Sequence, residues 1–240
     1  VQVDLFFQWD RCYLLAIDEF IRWKLAEFMK DRTPHEFLRV LLQFWVRYFG
    51  PPLILVLDQE GAAVSDLAST FCDRFSVQRI FAGTDDHTLT GLAERFISIV
   101  RTGSLKTWTD VRRQGLTVTQ DECVTESAMV SNLILTHGDK TPAEALLGFT
   151  PRSFYDLDSD TRDSCNGAID VSPDPFESAV RLRFLAKQNI LQAVIEERVS
   201  RAANTHVEQQ PQELLQPGTA VDIWKVPDKK DQKGWRGPAE

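Results

Sequence analysis

A chain of 240 residues, 43% hydrophobic and 26% charged, carries enough apolar surface for one sizeable core plus an appendage, which excludes disorder throughout. Its formal net charge of −8 argues against the simplest nucleic-acid binder, a domain basic over its whole surface. No apolar run approaches the roughly 18 residues of a membrane span, and the first residues, Val1-Gln2-Val3-Asp4-Leu5-Phe6-Phe7, carry no secretory pattern and begin like a strand inside something longer.

The charge is uneven. Residues 1–150 balance at −5, residues 151–175 at −4 and residues 176–240 at +1, so excess acid gathers in a connector and the tail is least hostile to DNA. Cys12, Cys72, Cys123 and Cys165 lie far apart without a C-x-x-C pair, and His35, His87, His137 and His206 are scattered. That spacing favours buried reduced thiols over a disulfide framework or a zinc site.

In chain order, Val1–Phe7, Arg11–Ile17 and Trp23–Met29 read as three strands joined closely enough for an antiparallel meander. Thr33 and Pro34 open a helix, as N-cap and first helical residue, and Phe37, Val40, Leu41, Phe44, Trp45 and Tyr48 recur along it until Gly50. Leu53–Leu57 is continuously apolar, as a central strand covered on both faces should be, and ends at Asp58. A short helix over Ser65–Phe75, a strand over Ser76–Phe81 and a long helix from Asp85 to about Val111 follow. Further helices are expected over Gln120–His137 and Thr141–Gly148. Residues 151–175 are polar, acidic and rich in Pro, Ser and Asp, as a linker is; residues 176–207 form a long helical pattern, and a β segment begins near Pro217. Three antiparallel strands followed by alternating helices and strands predict an α/β fold, a mixed five-stranded sheet flanked by helices.

Asp4 falls in the first strand, Asp58 at the end of a buried strand, and Glu94 on the helix after the last strand. Active groups of open α/β sheets gather at strand ends. Carboxylates brought together repel unless a cation neutralises them, and hard oxygen donors select Mg2+ or Mn2+. Two such ions roughly 4 Å apart activate a hydroxyl and stabilise the leaving oxygen of a phosphodiester. Most of the 35 acids are surface charges, so three chosen acids alone carry little; an aspartate inside an apolar strand is harder to dismiss.

Thirty-five residues, 59 through 93, separate Asp58 from Glu94, and Asp4 precedes Asp58 by 54. Together with Val1–Phe6, Tyr13–Phe20 (YLLAIDEF), Gly50-Pro51-Pro52, Gly91-Leu92-Ala93-Glu94-Arg95-Phe96 and Thr141–Gly148 (TPAEALLG), this resembles the catalytic core of retroviral and LTR-retrotransposon integrases, whose acidic triad is D…D-35-E. Residues 215–240, with Pro217-Gly218-Thr219 and Gly234-Trp235-Arg236-Gly237-Pro238, resemble the start of the SH3-like barrel that follows such cores. The chain departs from the family at Asp58-Gln59-Glu60-Gly61, where many relatives have Asp-Asn-Gly, and in the acidic stretch Asp85-Asp86, which reads better as a helix cap than as a DNA contact.

The resemblance implies an RNase H-like core over 1–150, an acidic linker over 151–175, a connecting helix over 176–207 and a truncated SH3-like DNA-binding module over 215–240. It implies a polynucleotidyl transferase and endonuclease with Asp4, Asp58 and Glu94 as catalytic metal ligands for two Mg2+ or Mn2+ ions, trimming element DNA ends and joining their 3′-hydroxyls to target DNA. Such a protein is a homo-oligomer without a membrane, acting in the nucleus after passage through the cytoplasm; no targeting signal is identified. Arg101 and Ser98 share the Glu94 face of their helix, Arg101 fitting a grip on the DNA end, with Arg95 and Lys106 as weaker candidates. In the tail Lys225, Lys229, Lys230, Lys233 and Arg236 surround Trp224 and Trp235, a mixture suited to phosphate contacts. The rival expectations are a catalytically inactive or host-retained integrase-derived DNA-binding or interaction module, and a nuclease or DNA transposase of the same fold.

Overall fold

The computed structural model describes residues 1–58, 61–81, 87–149, 151, 175–204, 221–224 and 235–239. The chain divides into two compact units, Val1–Ser200 and Arg201–Glu240. The expected linker, apart from Pro151 and Pro175, lies outside the described residues, as do Cys165, His206, Lys225, Lys229, Lys230 and Lys233.

In the first unit β1 (Gln2–Gln8), β2 (Arg11–Ile17) and β3 (Lys24–Met29) form the antiparallel meander that the sequence predicts. Trp9 and Asp10 alone link β1 to β2, at φ 51° and 58°. Two positive φ values suit a two-residue hairpin, whose twist must match that of its strands. Such angles are unfavourable for a bulky residue, and the Trp9 ring finds support against Trp108 at 6.2 Å between centroids. The sheet is completed by β4 (Ile54–Leu57) and β5 (Gln78–Phe81), both parallel to β1, in the order β3-β2-β1-β4-β5.

Alternation along β1 splits the core in two. Val3 belongs to the cluster with Leu55, Leu57, Phe37 and Phe71, on the side of α1 (Pro34–Leu41) and α4 (Asp66–Arg74). Phe6 belongs to the cluster with Ala93, Ile97, Val100 and Val124, on the side of α5 (His87–Arg113) and α6 (Gln120–Ile134). Helices thus cover both faces of the sheet, which is why the central strands read as unbroken apolar runs. Thr33 caps α1 by accepting the Glu36 N–H, as expected, but the helix then widens into a π-helical stretch over Leu42–Val46 before α2 (Arg47–Phe49), which periodicity does not reveal. A short helix not anticipated from the sequence, α3 (Gly61–Val64), precedes α4.

Helix α6 stops at Ile134, three residues before the expected His137. Leu135 is already extended, and the His137 N–H turns to the Lys140 carbonyl at 2.9 Å. Helix α7 (Pro142–Leu147) is closed at both ends, by a capping box between Thr141 and Glu144 and by Gly148 at φ 77°, where only glycine is free of strain. The long helix α8 (Pro175–Asn204) runs antiparallel to α5: Arg181 Nε donates to Gln114, Asn189 Nδ2 to Asp110, and Lys106 Nζ to Glu196. Their close approach is made at Gly103, where an added Cβ would lie 2.4 Å from Ile190 Cδ1 and 3.5 Å from Ile190 Cα. In the second unit β6 (Val221–Trp224) pairs antiparallel with β7 (Trp235–Ala239).

Three of the four thiols, Cys12, Cys72 and Cys123, are buried, as their spacing suggests, and burial pushes the Cys123 thiol up to about 12. Such a thiol stays protonated and inert at neutral pH.

Candidate active site

The β1–β4 pairing sets the first piece of geometry. Gln2 pairs with Val56 and Val3 with Leu57 in parallel register, so Asp4 and Asp58 are the next residues of two adjacent strands. Both line one small crevice with Leu57, Phe37 and Ala63. The ladder ends there: along the β1 edge that faces β4 the donors alternate as Val3 and then Leu5, and the Leu5 N–H turns to a side chain instead. Asp4 Oδ1 takes this N–H at 2.7 Å, which orients its carboxyl at the strand end. Asp58 is exposed and Asp4 half-buried.

The second piece is the hold of β1 on α5. Gln2, Asp4, Phe6 and Gln8 alternate onto the same face, and both glutamines clamp the helix. Ala93 N–H donates to Gln2 Oε1 at 3.2 Å, while Gln2 Nε2 donates to Glu19 at 2.8 Å. Farther along, Ser104 Oγ donates to Gln8 Oε1 at 3.1 Å and Gln8 Nε2 to the Arg101 carbonyl at 3.3 Å. Buried amides with good acceptors and donors are directional, so these bonds fix the helix along its axis in a way apolar packing does not. Glu94, next to the clamped Ala93, is exposed on α5.

Asp4 and Asp58 are therefore brought together, whereas Glu94 is carried on the clamped helix without joining them in a closed ligand set. Among the described residues no group of three or more His, Cys, Asp or Glu side chains is placed to hold a metal ion. The donors themselves are of the kind that suits a hard divalent cation. Asp18 and Glu19 have structural work: Asp18 Oδ1 accepts the N–H groups of Phe20 and Ile21 in the turn before β3, and Glu19 holds Gln2. Asp85 and Asp86 lie outside the described residues.

The basic candidates separate. At about 100° per residue, Ser98 and Arg101 fall within about 40° of Glu94, while Arg95 and Lys106 fall about 100–120° away. Arg101 is exposed, with its guanidinium 5.9 Å from the Phe6 ring centroid, on the face that also carries Asp4. Arg95 instead pairs with Glu197 at 3.5 Å and Lys106 with Glu196 at 2.5 Å. In each case α8 supplies the carboxylate. Arg236 is described only as backbone in β7.

Three residues were missed by sequence reasoning. The clamps Gln2 and Gln8 leave a signal, polar residues at alternate positions of a strand that is otherwise apolar. Lys24 leaves none: it is fully buried, its Nζ donating to the Arg22 carbonyl at 3.1 Å and to Asn132 Oδ1 at 3.2 Å, with the Phe96 ring centroid 4.4 Å away. Burial, helped by the Arg22 charge, lowers its pKa to about 7.

No protein-family model matches the chain, and no curated protein matches it. Solved structures do. A chain of the simian T-cell lymphotropic virus intasome, solved with the PP2A regulatory subunit B56 gamma, aligns at TM-score 0.53 and 22% identity over 60% of this chain and 52% of that one. The HTLV-2 integrase catalytic core domain in complex with magnesium aligns at TM-score 0.50 and 20% identity, over 59% of this chain and 90% of that one. The catalytic core domain of BIV integrase aligns at TM-score 0.50 and 17% identity, over 61% and 92%. The chain thus spans about half the length of the intasome chain it matches, and most of the two isolated cores. Identities this low speak to architecture alone, and in architecture this chain has the RNase H-like fold of the retroviral integrase catalytic core.

Proposed function

We propose that the chain is a retroelement integrase core that trims element DNA ends and joins their 3′-hydroxyls to target DNA with a divalent metal. One observation carries this reading: Asp4 and Asp58 lie side by side where β1 and β4 part, two residues along β1 from the Gln2 that holds the Glu94 helix, in an integrase-core fold. Asp4 and Asp58 would hold Mg2+ or Mn2+, with Glu94 as the third ligand from α5. A bound divalent ion supplies Lewis acidity toward the scissile phosphodiester. The Asp4 carboxyl is held by the Leu5 N–H, and Gln2 and Gln8 keep α5 from sliding along the sheet. Arg101, on the Glu94 face, meets a phosphate of the element DNA end. In trimming, water displaces the terminal nucleotides; in joining, the exposed 3′-hydroxyl displaces a target 3′-oxygen, and neither step needs a covalent bond to the protein.

The solved relatives include a dimeric core with magnesium and an intasome. They support a homo-oligomer; in this reading it bridges element and target DNA and works on chromosomal DNA in the nucleus. Residues 215–240, with the β6–β7 pair, would add an SH3-like contact to DNA.

The decisive measurement is Mg2+- or Mn2+-dependent strand transfer by the full chain, compared with Asp58→Asn and Glu94→Gln. Both variants are expected to fall to background, since each removes a ligand charge that nothing else in the site replaces. Equal activity in all three proteins would sink the catalytic reading. A second reading, an integrase-derived binding module without catalysis, draws on Asp4, Asp58 and Glu94 not forming one metal-holding group among the described residues. Strand transfer absent from wild type, with DNA binding retained, selects it.

A further inference from the structure

Between α5 and α8 lies a cavity of about 370 Å3, floored by Lys24 and by the end of α6. Its charged lining is of one sign. Arg22, Lys24, Arg95 and Arg198 contribute to it, and among the described residues no aspartate or glutamate does, on a chain of net charge −8. The Lys24 ammonium below meets two neutral acceptors and an aromatic face. Arg95 is held by Glu197 at 3.5 Å with half its side chain exposed, an ion pair loose enough to exchange.

Apart from Thr136 and His137, the remaining lining is apolar, including Phe96, Leu191 and Ile195. Leu191, Ile195 and Val199, at i, i+4 and i+8 on α8, are 42%, 59% and 63% exposed. They span about 12 Å, two helical turns, of which the last, to Val199, runs past the cavity. An apolar stripe left open beside a concave cationic site is unusual on a surface that has no partner. Nothing in the proposed catalysis uses it.

We propose that this groove docks an acidic amphipathic helix of a partner protein. Apolar side chains at helical spacing would lie along Leu191, Ile195 and Val199, one of them entering the cavity beside Phe96. Carboxylates on its flanks would meet Arg22, Arg95 and Arg198. Charge complementarity selects an acidic occupant, and the apolar stripe selects peptide over nucleic acid, because a phosphate backbone offers no apolar face to cover two turns of exposed leucine, isoleucine and valine.

The test is fluorescence anisotropy with the full chain and a labelled synthetic peptide of about four helical turns, bearing leucine and phenylalanine at i, i+4 and i+7 and glutamate on the flanks. Controls are the same composition scrambled and a short DNA duplex. Saturable binding of the patterned peptide alone is expected, weakened about tenfold or more by Arg198→Glu and by Ile195→Asp. Both positions are exposed and lie away from the carboxylates, and an unchanged melting temperature shows that each variant is folded. Equal binding of scrambled and patterned peptides, no binding at all, or variants that bind like wild type would overturn the proposal. So would a duplex that displaces the peptide and ignores Ile195→Asp, which would make the groove a phosphate surface.

Discussion

Helix α5 treats its basic residues in opposite ways on two faces. Toward α8, Arg95 and Lys106 each meet a glutamate about 90–100 residues away in sequence. On the Glu94 face Arg101 lies over the Phe6 ring and, among the described residues, makes no ion pair. The contrast teaches that basic residues available to DNA are those left after intramolecular pairing, and that helical phase decides which they are. Net charge and local counts, read along the chain, mix the two kinds.

The sharpest way to break the comparison is to push the helices apart. Gly103→Val would set side-chain atoms into Ile190 and its backbone, and an overpacked contact of this kind costs about 2–3 kcal/mol. A lower melting temperature is expected, together with DNA binding whose salt dependence steepens by up to about two counterions as Arg95 and Lys106 are released. A lower melting temperature with an unchanged salt slope would show that α8 does not withhold these cations.

Lys24 is a third case, a cation buried with neutral partners. Its folded pKa, near 7, is below the usual 10.5, so between those values the unfolded chain binds more protons and stability rises with pH. Below about pH 7 the full cost of the buried charge is present. Lys24→Met keeps the backbone clamp, in which Lys24 N–H donates to Asn132 Oδ1 and Asn132 Nδ2 to the Lys24 carbonyl. The variant should be more stable than wild type by about 1–2 kcal/mol at pH 6, the gap closing as pH rises toward 10 by no more than about 1.4 kcal/mol per unit. Denaturant melts at pH 6, 8 and 10 check this, and a gap that widens with pH contradicts it.

Smaller effects sharpen the contrast. Arg101→Ala should weaken binding to an element-end duplex by about 1 kcal/mol and lower the salt slope by about one, while Arg95→Ala should change the slope little. Similar slopes for the two variants would erase the distinction between the faces. Glu196→Gln removes a half-exposed partner of Lys106 and should cost under about 1 kcal/mol in a thermal melt.

Much of this is legible in the amino-acid sequence. The alternation of Val1–Phe7, the unbroken Leu53–Leu57 run and the caps at Thr33 and Thr141 are local signals, and each element formed where they stood. Asp4 and Asp58 were picked out by strand position and spacing, and the register made them neighbours. What stayed hidden depends on partners distant in the chain: the π-helical widening at Leu42–Val46, the glutamates opposite Arg95 and Lys106, and the burial of Lys24 under Phe96. A lone lysine at a strand start carries no mark of Asn132, 108 positions further along the chain.

The tight turn at Trp9 and Asp10 bears on how the protein is made. With only two residues between β1 and β2, the seven pairs from Gln2–Ile17 to Gln8–Arg11 need no residue beyond Ile17. The hairpin is complete while the ribosome has still to add the 41 residues from Asp18 to Asp58. The side to which Asp4 points is therefore decided early and locally, whereas Asp58 must find its neighbour through a parallel crossover, the slower kind of closure. Errors of synthesis or refolding should accordingly appear as misplaced β4, a sheet with one aspartate correctly presented and its companion missing.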